Sequence, residues 1–417
     1  MAGLVKHYQS TMQGIPQLTN NWGSMIALLD AVLITGFNQV PVISVNKSTP
    51  TAITATINLG SGHGFIDRQV VRIAGSTNGW DGDYKVLSAD SASILVECLP
   101  EQPSASSGTA TCFTAPLDFE IVHQTPSGSL QPKRAYRSKD PESLGLILLV
   151  HDFCSPGAAE TGAKFAKVGV VSGMSDIDTI VGSQMPFDPA NQNANWGWDG
   201  TYHGWAKWYY AQPIISSSGD GRYSDVTVPS DKERGFDIVG DTCGFSLLVE
   251  HSYSSALYGV VEFHDISYGG KNLLFMASGI SLNVQQDQEK YAKSSSGYMT
   301  IYANSFSSST IYTANGLIWN SKFGVHAPEQ TGKHLVIGHV ANSTTISISS
   351  ADHDTTNQGF MQHYITDSEG FIRGVAPFLR VPTRKVSGRH TYTSGKHVSY
   401  FDSKRGVQII GLSLEQK

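Results

Sequence analysis

At residue 40 the hydrophobic period of the chain changes from that of a helix to that of a strand. Before that point Trp22, Met25, Ile26, Leu29, Val32 and Leu33 keep the i, i+3, i+4, i+7 spacing of one helical face. Asn20 or Asn21 stands where a helix cap belongs, and Gly36 where a helix stops in the left-handed conformation. Asp30 falls off the apolar stripe. This spacing predicts one amphipathic helix of about four turns, its stripe turned to a core. From Val40 the period is two: Ile53, Ala55, Ile57 and Leu59 alternate with Thr54, Thr56 and Asn58.

Further short strands are predicted over 70–73, 84–87, 94–99 and 109–113, separated by Gly60–Gly64, Asn78-Gly79, Asp81-Gly82 and the run from Pro100 to Gly108. So many strands in so few residues predict a small β barrel or sandwich over 39–115. The remainder, 116–417, also reads as β, with runs of strand length such as 119–123, 144–151, 168–171, 245–251, 257–263, 272–277 and 407–414. Residues 144–150 are apolar on both faces, so that strand should be central. The expected fold class is therefore mainly β: an N-terminal arm and helix over 1–38, the small β domain, and a larger antiparallel β-sandwich body. That body carries long loops and a Trp-rich insertion at 184–235.

Charge limits the function classes. The net charge is −6, which speaks against a generic nucleic-acid binder. Charged residues are only 15% of the chain against a usual figure of about 25%, which suits surfaces covered by other subunits. Residues 151–300 are net −8 and residues 301–417 net +4. That asymmetry fits a head-to-tail contact between copies or a merely solvated surface. Cys98, Cys112, Cys154 and Cys243 have no zinc spacing. Cys98 and Cys112 flank a turn, and reduced buried thiols are expected rather than a bridge. Residues 1–13 carry one Lys and no apolar run, so no signal peptide is expected, and no stretch reaches the roughly 20 apolar residues of a membrane span.

No GxSxG, HExxH or Walker sequence is present, and Gly60–Gly64 reads as a hairpin turn. His151-Asp152 and His264-Asp265 lie on predicted strands, where neighbours point to opposite faces and make no dyad. Asp352-His353-Asp354, Asp81-Gly82-Asp83 and Asp176-Ile177-Asp178 read as turns in which Asp bonds local backbone. No catalytic residue, metal ligand or cofactor is assigned, and the chain is expected not to be an enzyme.

Two clusters remain. Trp196, Trp198, Tyr202, Trp205, Trp208, Tyr209 and Tyr210 fall within fifteen residues, interleaved with Gly197, Gly200 and Gly204. Such rings either pack a core or present flat faces to a sugar or protein partner. On the second reading Trp196, Trp198, Tyr202, Trp205 and Trp208 are the receptor or partner contacts. Arg373, Arg380, Arg384, Lys385, Arg389, Lys396, Lys404 and Arg405 face only Asp402 between Ile372 and Gly406. They are a solvated edge, a phosphate-binding path, or a subunit interface carried by Arg373, Arg380, Arg384, Lys385 and Arg389.

The opening stretch, Val5-Lys6-His7-Tyr8-Gln9-Ser10-Thr11-Met12-Gln13-Gly14-Ile15-Pro16-Gln17-Leu18, resembles the start of a group of tailed-bacteriophage virion proteins. So do the helix ending in Gly36-Phe37, Gly62-His63-Gly64-Phe65, Gly82-Asp83-Tyr84-Lys85-Val86, Ala135-Tyr136-Arg137-Ser138, Ser172–Asp178, Gly370–Val375 and Pro377. The group usually has Gly before a mid-chain Asp-Ile, where this chain has His264-Asp265-Ile266. The chain is most similar to the tail sheath of Schitoviridae-type podophages. That resemblance implies a structural component of the virion tail, made in the host cytoplasm. Copies would form a ring beside the tail tube, the portal or adaptor and the fibres. It also implies possible contact with a host outer-membrane receptor, without sequence-specific nucleic-acid contact or membrane insertion. A dedicated receptor- or glycan-binding tail protein, or a polysaccharide depolymerase, is the alternative.

Overall fold

A computed structural model describes residues 4–130, 132–154, 163–185, 206–211, 231, 233–251 and 254–277. Beyond these it describes the strand segments 300–301, 313–319, 332–335, 360–366, 371–382, 390–393, 396–402 and 408–413. The fold is mainly β, as the alternation predicts, and its sheets are antiparallel.

The short alternating strands of the first third form a seven-stranded sheet. In spatial order its strands are Phe37–Pro41, Gly108–Thr114, Val70–Ser76, Gly82–Ala89, Ser93–Glu97, Thr54–Asn58 and Ser44–Lys47. Their inward residues, among them Val45, Ile57, Val71, Ile73, Val86, Ile94 and Val96, make one apolar cluster with Trp80 from the connection before Gly82. The Lys47 ammonium is buried at its edge and donates to the carbonyls of Leu99, Pro100 and Gln102 at 3.1, 2.8 and 3.0 Å, pinning the Pro-rich turn. Cys98 and Cys112 are free thiols, and burial pushes Cys112 up to about 12.

A second sheet contains Phe119–Gln124, Lys133–Ser138, Ile147–Cys154 and Ala163–Val171, with Gln184–Met185 and Lys207–Tyr209 both pairing the last of these. Ile147–Cys154 lies between two neighbours, and its residues alternate between two apolar clusters: Leu148 and Val150 on one face, Ile147 and Leu149 on the other. This is the central strand predicted from its two apolar faces, although Leu144–Leu146 stay outside it.

The third sheet has thirteen strands. It begins Lys6–Gln9, Phe236–Asp241, Gly244–His251, Ser254–Asp265, Gly270–Met276. Phe236, Ile238, Phe245, Leu247 and Tyr258 on one face join Leu148, Val150, Val168 and Trp208 of the second sheet in a single core. Met25, Ile26, Leu29, Val32 and Leu33 of the N-terminal helix enter the same core, as the 3.6-residue stripe predicts, and Leu28, outside that stripe, joins them.

The helix itself differs from expectation. It is α-helical only over Ser24–Leu29 and continues as a π-helix over Asp30–Thr35. Asp30, where the winding changes, is held by Tyr136 Oη (2.7 Å) and Arg134 Nε (3.3 Å). Neither Asn20 nor Asn21 caps it. Gly23 occupies the cap position at φ 78°, with no side-chain cap bond, and a carboxylate distant in sequence takes over that role.

Candidate functional site

Of the five aromatic candidates, the structure describes Trp208; Trp196, Trp198, Tyr202 and Trp205 lie outside the described residues. Trp208 pairs directly opposite Ala166, whose small side chain leaves room above it. Its ring stacks on Tyr258 at 6.1 Å and meets Phe245 edge-on at 6.0 Å, while Nε1 donates to the Met276 carbonyl at 2.8 Å. The indole is wholly buried. The reading of Trp208 as a receptor contact is therefore corrected: no face is left for a sugar or a partner. Tyr209 turns to the opposite face, against Phe165, and Tyr210 returns to the core.

Beside it lies the carboxylate that caps the helix. Asp152 is wholly buried. Its Oδ2 accepts the backbone N–H groups of Met25 (3.1 Å) and Ile26 (3.4 Å), and its Oδ1 accepts the Tyr210 hydroxyl. Burial drives this carboxyl up to about 7, against the downward pull of Tyr210 and of the helix N–H groups. His151, its neighbour, points the other way, as strand geometry requires. There Lys133, His151, Lys167 and Lys207 occupy directly opposed positions on four adjacent strands. Burial, followed by Lys133 and Lys167, holds His151 down at about 3, so it is neutral. Asp178 pairs with Lys133 from a neighbouring hairpin. Nothing in the sequence announced this row, because strand register brings its members together.

Of the basic candidates, Arg384, Lys385 and Arg389 lie outside the described residues. Arg380 sits on the strand Ile372–Pro382, opposite Gln362 and Gly411. Arg373 is wholly buried, which corrects its reading as a subunit contact. Its Nε lies 3.1 and 2.9 Å from the two Asp265 oxygens, and its Nη2 lies 2.6 Å from Oδ2. The guanidinium also covers the Tyr268 ring at 4.3 Å, and Asn272 donates to Asp265 at 2.8 Å. Burial alone would raise the Asp265 carboxyl; Arg373 and Asn272 outweigh it and hold it below the usual range.

Next to this pair in sequence are three exposed apolar residues, Ile266 (62% exposed), Phe371 (64%) and Ile372 (38%). Their backbones are tied together: Ile266 N–H donates to the Arg373 carbonyl at 2.7 Å, and Ser267 Oγ to the Ile372 carbonyl at 3.3 Å. These bonds join the two segments that carry the exposed residues into one tip. Asp81 and Asp176 accept local backbone N–H groups, the turn role expected of them. Asp352-His353-Asp354 lies outside the described residues. Among the described residues no three His, Cys, Asp or Glu side chains are grouped to hold a metal, and no helix is long and apolar enough to cross a membrane.

No family model matches the chain, and no curated protein matches it. Among solved structures it aligns with the phage phi92 endosialidase at 10% identity and a TM-score of 0.15, over 89% of this chain and 56% of that one. The chain thus spans little more than half the length of that neighbour. Likeness at this level transfers no fold and no site. The expectation that the chain is not an enzyme stands against this alignment, whose named partner is an enzyme, and is withdrawn.

Proposed function

We propose that this chain is a component of a bacteriophage tail, set beside its own copies around the tail tube in the manner of a sheath. The reading rests first on the resemblance of Val5–Leu18, Gly62–Phe65 and Gly370–Val375 to tail proteins. The structural observation that carries it is the tip of Ile266, Phe371 and Ile372. Large apolar side chains exposed on segments tied by backbone bonds, beside a buried ion pair, suit a surface that another protein covers. The proposal concerns where the chain sits. Any action on a host glycan is a separate property, read by release of reducing ends from host surface polysaccharide.

The test is to locate the chain in intact particles by electron cryo-microscopy and to repeat the imaging with Phe371→Asp and Ile266→Asp. We expect density for this chain around the tail, with the tip against a neighbour. Both variants should fold and fail to incorporate. A chain absent from the particle, or variants that incorporate at wild-type level, would overturn the proposal.

A further inference from the structure

We propose that Asp152 is a proton-operated latch that holds the N-terminal helix against the body. Its carboxylate is the meeting point of three segments far apart in sequence: the helix start at Met25 and Ile26, the central strand Ile147–Cys154, and Tyr210. The helix has no cap of its own, since Gly23 has no side chain. Ser24 N–H bonds the Asn21 carbonyl and Ala27 N–H the Gly23 carbonyl, so the Met25 and Ile26 N–H groups between them depend on this one acceptor. The acceptor lies in the core that buries Leu148, Val150, Ala166 and Trp208, so its charged form is disfavoured whenever the latch is closed.

The surrounding groups leave Asp152 as the one poised to change. On the helix, Asp30 is bound to Arg134 and Tyr136. On the strand Lys133–Ser138, Lys133 and Arg134 pair with Asp178 and Asp30, while burial raises the Tyr136 hydroxyl far out of range. On the central strand, His151 faces away and is neutral. Beside Trp208, Lys207 occupies the register position of that opposite row, and Tyr210 donates to Asp152.

The sign follows from linkage. A closed-state carboxyl titrating near 7 binds its proton more tightly than the same group released into water. The closed state is therefore favoured at low pH and weakened as pH rises through that value. With a released value near the usual 3.8, opening of the helix should increase about thirtyfold between about pH 5.5 and about pH 8.5.

Hydrogen exchange of the full chain, read by mass spectrometry on peptides covering residues 24–35 and corrected for intrinsic exchange, tests this. The wild type should lose protection over that interval while peptides from the sheet Phe37–Thr114 hold theirs. Asp152→Asn, which keeps an acceptor for the helix, should show a flat profile. Tyr210→Phe removes a donor to the charged form and should move the midpoint upward. It also serves if the Asn variant does not fold. A wild type without pH dependence, the same slope in Asp152→Asn, or an unmoved midpoint in Tyr210→Phe would each overturn the latch.

Discussion

Arg373 and Trp208 are both wholly buried, the first held by charge and the second by ring packing. The deciding partners are Asp265 and Tyr258, distant in sequence, and no spacing rule connects them. Truncating one side of such a pair strands the other charge away from water. Asp265→Asn should therefore destabilise the fold by about 3 kcal/mol or more in a urea titration, whereas Lys139→Ala, outside this pair, should change little. Because Arg373 and Asn272 hold the Asp265 carboxyl low, its contribution is present above the unfolded value and disappears as pH falls through the folded one. The mutant and wild-type stabilities should thus converge in acid. Trp208→Ala, which empties the space between Tyr258 and Phe245, should cost about 3–5 kcal/mol by the same titration.

Among the elements, strands with clean alternation were legible: Thr54–Asn58, Ser93–Glu97 and Gly108–Thr114 fall where the period of two places them. Lys6–Gln9 was not, because Lys-His-Tyr-Gln has no apolar rhythm. All four of its residues are nevertheless buried, with polar partners that include Asp83 for Lys6 (2.6 Å), Asp237 for His7 (3.1 Å) and the Ala115 carbonyl for Tyr8 (2.7 Å). The helix was legible in its buried face but not in its winding or cap, since both depend on Asp30 and Asp152 meeting groups outside the helix. Its end was legible for a physical reason. Gly36 sits at φ 69°, and a Cβ there would lie 2.3 Å from the Thr114 carbonyl oxygen and 2.7 Å from the Phe113 ring. Gly36→Ala should therefore cost about 2 kcal/mol or more by thermal or chemical unfolding, well beyond the roughly 1 kcal/mol of an ordinary glycine replacement.

Across the whole molecule, a four-membered ionic clasp joins the seven-stranded sheet to the body. Arg72 donates to Asp83 (2.5 and 3.0 Å) and to Asp118 (2.7 and 2.5 Å). The Lys6 ammonium reaches Asp83 and Asp118 (3.6 Å) and donates to the Pro116 carbonyl. Arg72→Met should loosen the connection at 115–118 and speed limited proteolysis there, while leaving each sheet's own core intact; equal cleavage of mutant and wild type would refute the clasp. The pairing of Lys6 with Gly240 also has a consequence in time. The first strand of the thirteen-stranded sheet leaves the ribosome well before its hydrogen-bonding partner, which emerges more than two hundred residues later. Until then its backbone edge is open to any passing strand, so productive maturation depends on translation outrunning misassociation.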